Sequence, residues 1–112
     1  MVKRGDVVLV SLAGDYGKTR PAILIQNDVL AEVLESRTVC LLTSDVVLAP
    51  RLRVSIEPNA SNGLRRLSQV QVEKVVTLPA GKVRGPIGAL TREQMREVDR
   101  RLRLHLDLYN SE

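Results

Sequence analysis

The sequence predicts a mainly β fold, a compact antiparallel barrel followed by one C-terminal helix. Three observations carry this. Five to seven short apolar runs are separated by clusters of Gly, Pro, Asn and Asp, the punctuation of strands and turns. Only the segment after Leu90 repeats its apolar residues at helical spacing over several turns. The 112 residues contain no internal repeat, low-complexity tract or linker, which suits one domain over residues 1–112. Strands followed by a single helix pack as a closed sheet with the helix laid against it.

Gly5-Asp6 opens the first strand, Val7-Val8-Leu9-Val10-Ser11-Leu12, whose nearly continuous apolar character predicts cover on both faces. Arg4-Gly5-Asp6 reads as a strand start: Gly5 relaxes the backbone and Asp6 can satisfy nearby N–H groups. Ala13 to Lys18 holds two glycines and an Asp and reads as a hairpin loop. The second strand starts near Thr19 or Arg20 and ends at Gln26, with Pro21 near its beginning, where a missing N–H is tolerated. Asn27-Asp28 signals a turn, and Val29 to Glu35 a short helical turn or an irregular loop. The third strand is Arg37 to Thr43 or Ser44.

A loop from Asp45 to Pro50 follows. Arg51-Leu52-Arg53-Val54-Ser55-Ile56 alternates polar and apolar residues, the pattern of a strand with one wet face. Glu57 to Gly63 is a dense turn cluster. Leu67 to Val72 reads as another strand, continuing through Lys74-Val75-Val76 after a kink. Pro79 to Pro86 reads as a polar, Gly-rich connection. The helix is announced by Thr91-Arg92-Glu93-Gln94, a capping box. Met95, Val98, Leu102, Leu106 and Tyr109 then recur on one helical face. Glu97 with Arg101, and Asp99 with Arg103, are spaced for i,i+4 pairs. Leu104 and Leu108 lie on another side, which points to a subunit interface or a deeper seat in the fold.

Composition narrows the function. Lys and Arg outnumber Asp and Glu 17 to 13, a net charge of +4, and the pI near 9.7 is compatible with a polyanionic partner. With no Phe or Trp, and Tyr16 and Tyr109 as the two tyrosines, base-stacking platforms for single strands are disfavoured. Any base reading must rest on hydrogen bonds and shape. The lone Cys40 sits in the apolar run Thr38 to Leu42 and reads as a buried small hydrophobe in a reducing compartment. No apolar leader follows Met1-Val2-Lys3-Arg4, and no run approaches the ~18 residues of a membrane span. A cytoplasmic location with no membrane partner is therefore expected. One His, one Cys and no clustered carboxylates predict no metal site and no cofactor. His105 falls inside the helix, poorly placed for a Ser-His-Asp arrangement.

Two polar interruptions at strand ends stand out: Lys18-Thr19-Arg20-Pro21-Ala22, and Cys40-Leu41-Leu42-Thr43-Ser44. A fixed guanidinium and a fixed hydroxyl suit a phosphate, and RNA carries its own nucleophile beside each phosphate. In context the chain resembles the MazF/PemK/Kid toxins of bacterial toxin–antitoxin modules. The resemblance rests on Lys3-Arg4-Gly5-Asp6-Val7-Val8-Leu9-Val10, on Thr19-Arg20-Pro21-Ala22 through Gln26-Asn27-Asp28, and on Leu41-Leu42-Thr43-Ser44. Gly63-Leu64, Ser68-Gln69-Val70 and Ile87-Gly88-Ala89-Leu90 extend it over nearly the whole chain.

The resemblance implies an SH3-like barrel of the CcdB/MazF type, a homodimer, and metal-independent endoribonuclease activity on single-stranded RNA at short sequences. It also implies an antitoxin protein that blocks the site with a disordered segment. It assigns the catalytic Arg to Arg20 and the catalytic Thr to Thr43. The chain departs from the family in its shorter first loop, Gly14 to Lys18, which lacks the usual Glu. Ser68 also stands where some members carry an acid. Two other readings remain open: a CcdB-like toxin that binds DNA gyrase without chemistry, and an inactive antitoxin-binding module. The tail Leu108-Tyr109-Asn110-Ser111-Glu112 does not resemble the aromatic tail of the gyrase toxin.

Cleavage by the neighbouring 2′-hydroxyl leaves a 2′,3′-cyclic phosphate and a 5′-hydroxyl. It requires deprotonation of the 2′-OH, stabilisation of the pentavalent phosphate, and protonation of the 5′-oxygen. Arg20 suits the second task, with a planar fork that stays charged. Thr43, β-branched and stiff, can donate to a phosphoryl oxygen or orient the 2′-OH, with Thr19 and Ser44 as weaker candidates. Gln69 could position a base or sugar. Lys18, Arg65 and Arg66 are placed in loops to line a basic groove, whereas Arg51 and Arg53 fit a solvated surface equally well. The general base is open: Asp15, a water, or Arg20 acting as general acid alone.

Overall fold

A computed structural model describes residues 2–108. Six strands form one antiparallel sheet: β1 (Asp6–Ser11), β2 (Thr19–Leu24), β3 (Ser36–Thr43), β4 (Arg53–Ile56), β5 (Ser68–Pro79) and β6 (Val83–Ala89), in spatial order β4-β5-β3-β2-β1-β6. A short helix α1 (Asp28–Ala31) joins β2 to β3, and α2 (Arg92–His105) ends the described chain. The SH3-like expectation of strands with a C-terminal helix is met. Tyr109 and the tail beyond it lie outside the described residues.

Both faces of the sheet carry a core, because the central strands are apolar on both sides. On one face Val7, Ile23, Cys40, Leu42, Ile56, Val70 and Val72 pack under Met95, Val98 and Leu102 of α2. On the other, Val8, Val10, Ala22, Leu24, Val39 and Leu41 pack together with Leu78. The expectation that β1 is covered twice holds for this reason: Val7, Val8 and Val10 are all fully buried. Burial pushes the Cys40 thiol up to about 12, so at neutral pH it is an inert core residue.

The sheet curls so that its far edges meet through a loop. Ala89 N–H donates to Ser61 O at 2.9 Å, and a Cβ on Gly88 would lie 2.3 Å from the Asn62 carbonyl carbon. The loop between β4 and β5 thus closes against β6, and glycine at 88 is what lets the two backbones touch. Asn62, buried in that loop, accepts from Asn59 N–H and Leu64 N–H (3.1 and 3.0 Å) and donates to Glu57 O at 2.8 Å.

Residues 83–86 correct the expected Gly-rich connection: they belong to β6, paired with β1. The pairing steps from Val7↔Gly88 to Leu9↔Arg84, so an irregularity at the sheet edge absorbs Gly85 and Pro86, where the missing proline N–H breaks no rung. The expected kink in β5 is present. Leu41 pairs with Gln71 but Cys40 with Val75, so Val72, Glu73 and Lys74 bulge out of the pairing. The fourth strand starts at Arg53 and not at Arg51, because Leu52 and Arg53 N–H both turn back to Ala49 O.

The capping box of α2 is formed: Thr91 Oγ1 accepts from Gln94 N–H, and Gln94 Oε1 from Thr91 N–H. Two helix expectations are corrected. Leu106 is half exposed at the C-cap, beyond the reach of the sheet. Asp99 pairs with Arg4 at 2.6 Å and not with Arg103; Arg4 also donates to Ile25 O, which ties the start of β1 to α2. Glu97 does pair with Arg101, at 3.3 Å. At the strand start Gly5 has φ 94°, and Asp6 accepts from Lys3 N–H at 2.7 Å. Among the described residues no helix is long and apolar enough to cross a membrane.

Candidate active site

The register of β2 on β3 builds the site. Ala22 pairs with Leu41; continued outward by two residues, that register sets Arg20 beside Thr43, on the face that carries Ala22 and Leu41. The apolar residues hold the strands together, and the two polar ones emerge where the core ends. Arg20 and Thr43 line an open cleft of about 720 Å³ together with Thr19, Ser44, Arg65 and Arg66. Three arginines face a single carboxylate there, Asp45, so the cleft is cationic, and its size suits a nucleotide.

The Thr43 hydroxyl oxygen accepts from Asp45 N–H at 3.0 Å. That bond fixes the oxygen and leaves its proton free to donate. Arg20 is held from the side by Asp15: Nε to Oδ2 at 2.6 Å and Nη2 to Oδ1 at 3.1 Å. A guanidinium has five N–H donors, so the outer edge formed by Nη1 and Nη2 stays available to an anion. The Arg20 guanidinium lowers the Asp15 carboxyl below the ordinary carboxylate range, with a smaller contribution from Lys18. Asp15 in turn raises Arg20 further above its ordinary value. Arg20 is thus a fixed positive charge.

Arg65 and Arg66 are positioned by backbone packing. Gly63 adopts φ 70°, and a Cβ there would come 2.3 Å from Ile87 O. The Ser68 hydroxyl donates to Arg66 O at 3.0 Å, so this serine braces the arginine loop. Gly63, Leu64, Ser68 and Asp45 also line the cleft, and their part in it shows only once β6 and the β4–β5 loop meet.

Three expected residues stand elsewhere. Lys18 is exposed and is not among the residues lining the cleft. Gln69, 4% exposed, turns away from it: its amide oxygen accepts from Val47 N–H and Arg53 Nη1, and its nitrogen donates to Val47 O and Ser55 Oγ. Its hydrogen bonds hold the loop after Thr43 and leave none for a base or sugar. Arg53 is neither solvated nor in the groove; it pairs with Glu73 at 2.8 Å beside Gln69. Among the described residues no group of three or more His, Cys, Asp or Glu could hold a metal ion.

Comparison with known proteins identifies a family for the chain. The family described as "PemK-like, MazF-like toxin of type II toxin-antitoxin system" matches residues 3–106. The chain is 34% identical over 108 residues to a probable endoribonuclease MazF of Mycolicibacterium smegmatis, covering 96% of this chain and 98% of that protein. It is 30% identical over 113 residues to the endoribonuclease EndoA of Bacillus subtilis, covering 96% and 97%. In fold it is similar to a mycobacterial endoribonuclease solved in complex with its cognate antitoxin, with TM-score 0.82 at 19% identity, covering 97% and 98% of the two chains. With the cleft, the strand-end pair and these relatives together, the chain belongs to the PemK-like, MazF-like toxins of type II toxin–antitoxin systems, a family whose curated members named above are endoribonucleases.

Proposed function

We propose that the protein cuts single-stranded RNA without a metal, by in-line attack of a 2′-oxygen on the adjacent phosphorus. The P–O5′ bond breaks, leaving a 2′,3′-cyclic phosphate and a 5′-hydroxyl. The observation that carries this is the Arg20 guanidinium, held side-on by Asp15 in a cationic cleft with its outer edge open. That edge takes two phosphoryl oxygens and stabilises the charge of the pentavalent state. The Thr43 proton donates to a phosphoryl oxygen, and Arg65 and Arg66 hold the flanking backbone. Thr19 and Ser44 support at the cleft wall, and Gln69 acts by holding the loop behind Thr43. The gyrase-binding reading is set aside, because the relatives are endoribonucleases.

Asp15 takes the 2′-OH proton. In the free protein Arg20 keeps it ionised. A bound phosphate brings like charge beside it and raises its proton affinity as the reaction begins. Arg20 is more than half exposed, so water reaches the leaving 5′-oxygen and supplies its proton. With synthetic single-stranded RNA in EDTA, end analysis is expected to show cyclic phosphate and 5′-hydroxyl termini; RNA left intact in every sequence context would refute the reading. Asp15→Asn is expected to lower kcat by about 10²-fold with little change in KM. It also removes the acid limb of the kcat/KM profile, which reports the free protein and lies below the ordinary carboxylate range because Arg20 depresses Asp15. An unchanged kcat would take Asp15 out of the mechanism.

Two partners complete the reading. The Arg65–Arg66 cleft suits an acidic, extended antitoxin segment, which would compete with RNA, as the antitoxin-bound relative suggests. A homodimer is supported by Leu104, Leu106 and Leu108, each half exposed or more at the end of α2, and by the fully displayed Leu48 in the loop that Arg101 grips through Pro50 O. Leu104→Glu is expected to halve the mass seen by light scattering; an unchanged mass would place the interface elsewhere. A cytoplasmic location, where RNA is met and a free cysteine stays reduced, fits this reading.

A further inference from the structure

The groove continues past the Arg20–Thr43 pair. Arg20, Leu42 and Thr43 line both the arginine-walled cleft and a second one, of about 300 Å³, on their other side. Asp15, Gln71 and Lys74 wall this second cleft, and two features mark it as built for a ligand. Gln71 is 9% exposed and lines the cleft, yet among the described residues its side-chain amide has no hydrogen-bond partner. The similarly buried Gln69, two residues earlier, spends both of its amide atoms on the protein. Neither atom of the Gln71 amide is sealed from solvent, so both are open to a ligand that displaces water from the cleft. The second feature is the β5 bulge, which takes Lys74 out of the strand pairing and into the cleft lining. There it has no acidic partner among the described residues.

We propose that this cleft is a second nucleotide subsite of the RNA groove. One nucleotide lies in the Arg65–Arg66 cleft, the scissile phosphate at Arg20 and Thr43, and the nucleotide across the cleaved bond beside Gln71 and Lys74. The Gln71 amide offers one donor edge and one acceptor to a base; the Lys74 ammonium meets the next phosphate. Base choice here is made by an amide and not by stacking, as a chain poor in aromatics requires. The proposal rests on the endoribonuclease reading above.

The test is cleavage of a randomised single-stranded RNA pool, with the ends sequenced, by the whole protein and by Gln71→Ala and Lys74→Gln. Gln71→Ala is expected to relax base preference about tenfold at one position beside the cleaved bond, with other positions unchanged. Lys74→Gln is expected to raise KM about fivefold at low salt and to flatten the salt dependence of binding by about 0.7 in log–log slope, with base preference kept. Lys74 is exposed, so its variant folds even where Gln71→Ala does not. Unchanged preference and unchanged KM, the outcome if the cleft serves only a partner protein, would overturn the subsite. Arg20→Ala is run beside them. If wild type cleaves and Arg20→Ala does not, the enzymatic reading stands whatever becomes of the subsite; if wild type leaves all RNA intact, both fall.

Discussion

Arg20→Ala is expected to lose at least about 10²-fold in kcat on single-stranded RNA while staying folded. The loss follows from what replaces the guanidinium. Water can solvate a phosphate, but it must reorganise as charge builds in the transition state, whereas Arg20 is already held in place by two bonds to Asp15. Folding survives because the side chain is 56% exposed and fills no core space. Arg20→Lys is expected to recover only part of the rate, since an ammonium keeps the charge and loses the planar edge. Thr43→Ala is expected to cost about as much as Arg20→Ala, because Asp45 N–H then has no hydroxyl to orient. The check is single-turnover cleavage with circular dichroism on each variant; full activity in Arg20→Ala would end the proposed chemistry.

Asn62→Ala is expected to destabilise the fold by about 2–4 kcal/mol, read by urea unfolding. Asn62 is 1% exposed and its side chain satisfies Asn59 N–H, Leu64 N–H and Glu57 O. Alanine leaves all three groups in a site with little room for water. The same loop meets β6 at Gly88 and carries Gly63 to Arg66, so its loosening also unsettles the arginine wall of the cleft. KM is expected to rise more than kcat falls. A change under about 0.5 kcal/mol would show that the loop is held from elsewhere.

The site was legible to different depths at different residues. Arg20 and Thr43 could be singled out from sequence because each interrupts an apolar strand at its end, and the family pattern paired them. Arg65 and Arg66 could be placed in a basic loop. Gln69 was misjudged for a reason no local pattern carries: its partners Val47, Arg53 and Ser55 come from other elements. Asp15 was visible as a loop acid, but its grip on Arg20 depends on the conformation of Gly14 to Lys18, where Gly14, Tyr16 and Gly17 all take positive φ. Gln71 gave no signal at all; a glutamine in a strand looks ordinary until its neighbours are known.

Local chemistry was sufficient for the elements whose stability is local or periodic. Alternating and continuous apolar runs specify strands, and Thr91 with Gln94 specifies where α2 begins, because those preferences act within a few residues. Tertiary contact decided the rest. Residues 83–86 became a strand only because β1 offered an edge to pair with, against the local preference of Gly85 and Pro86. The cleft exists only because the β4–β5 loop crosses to Gly88 and Ile87. Long-range pairings of this kind obey backbone hydrogen bonding and steric fit, neither of which is written in any short stretch of residues.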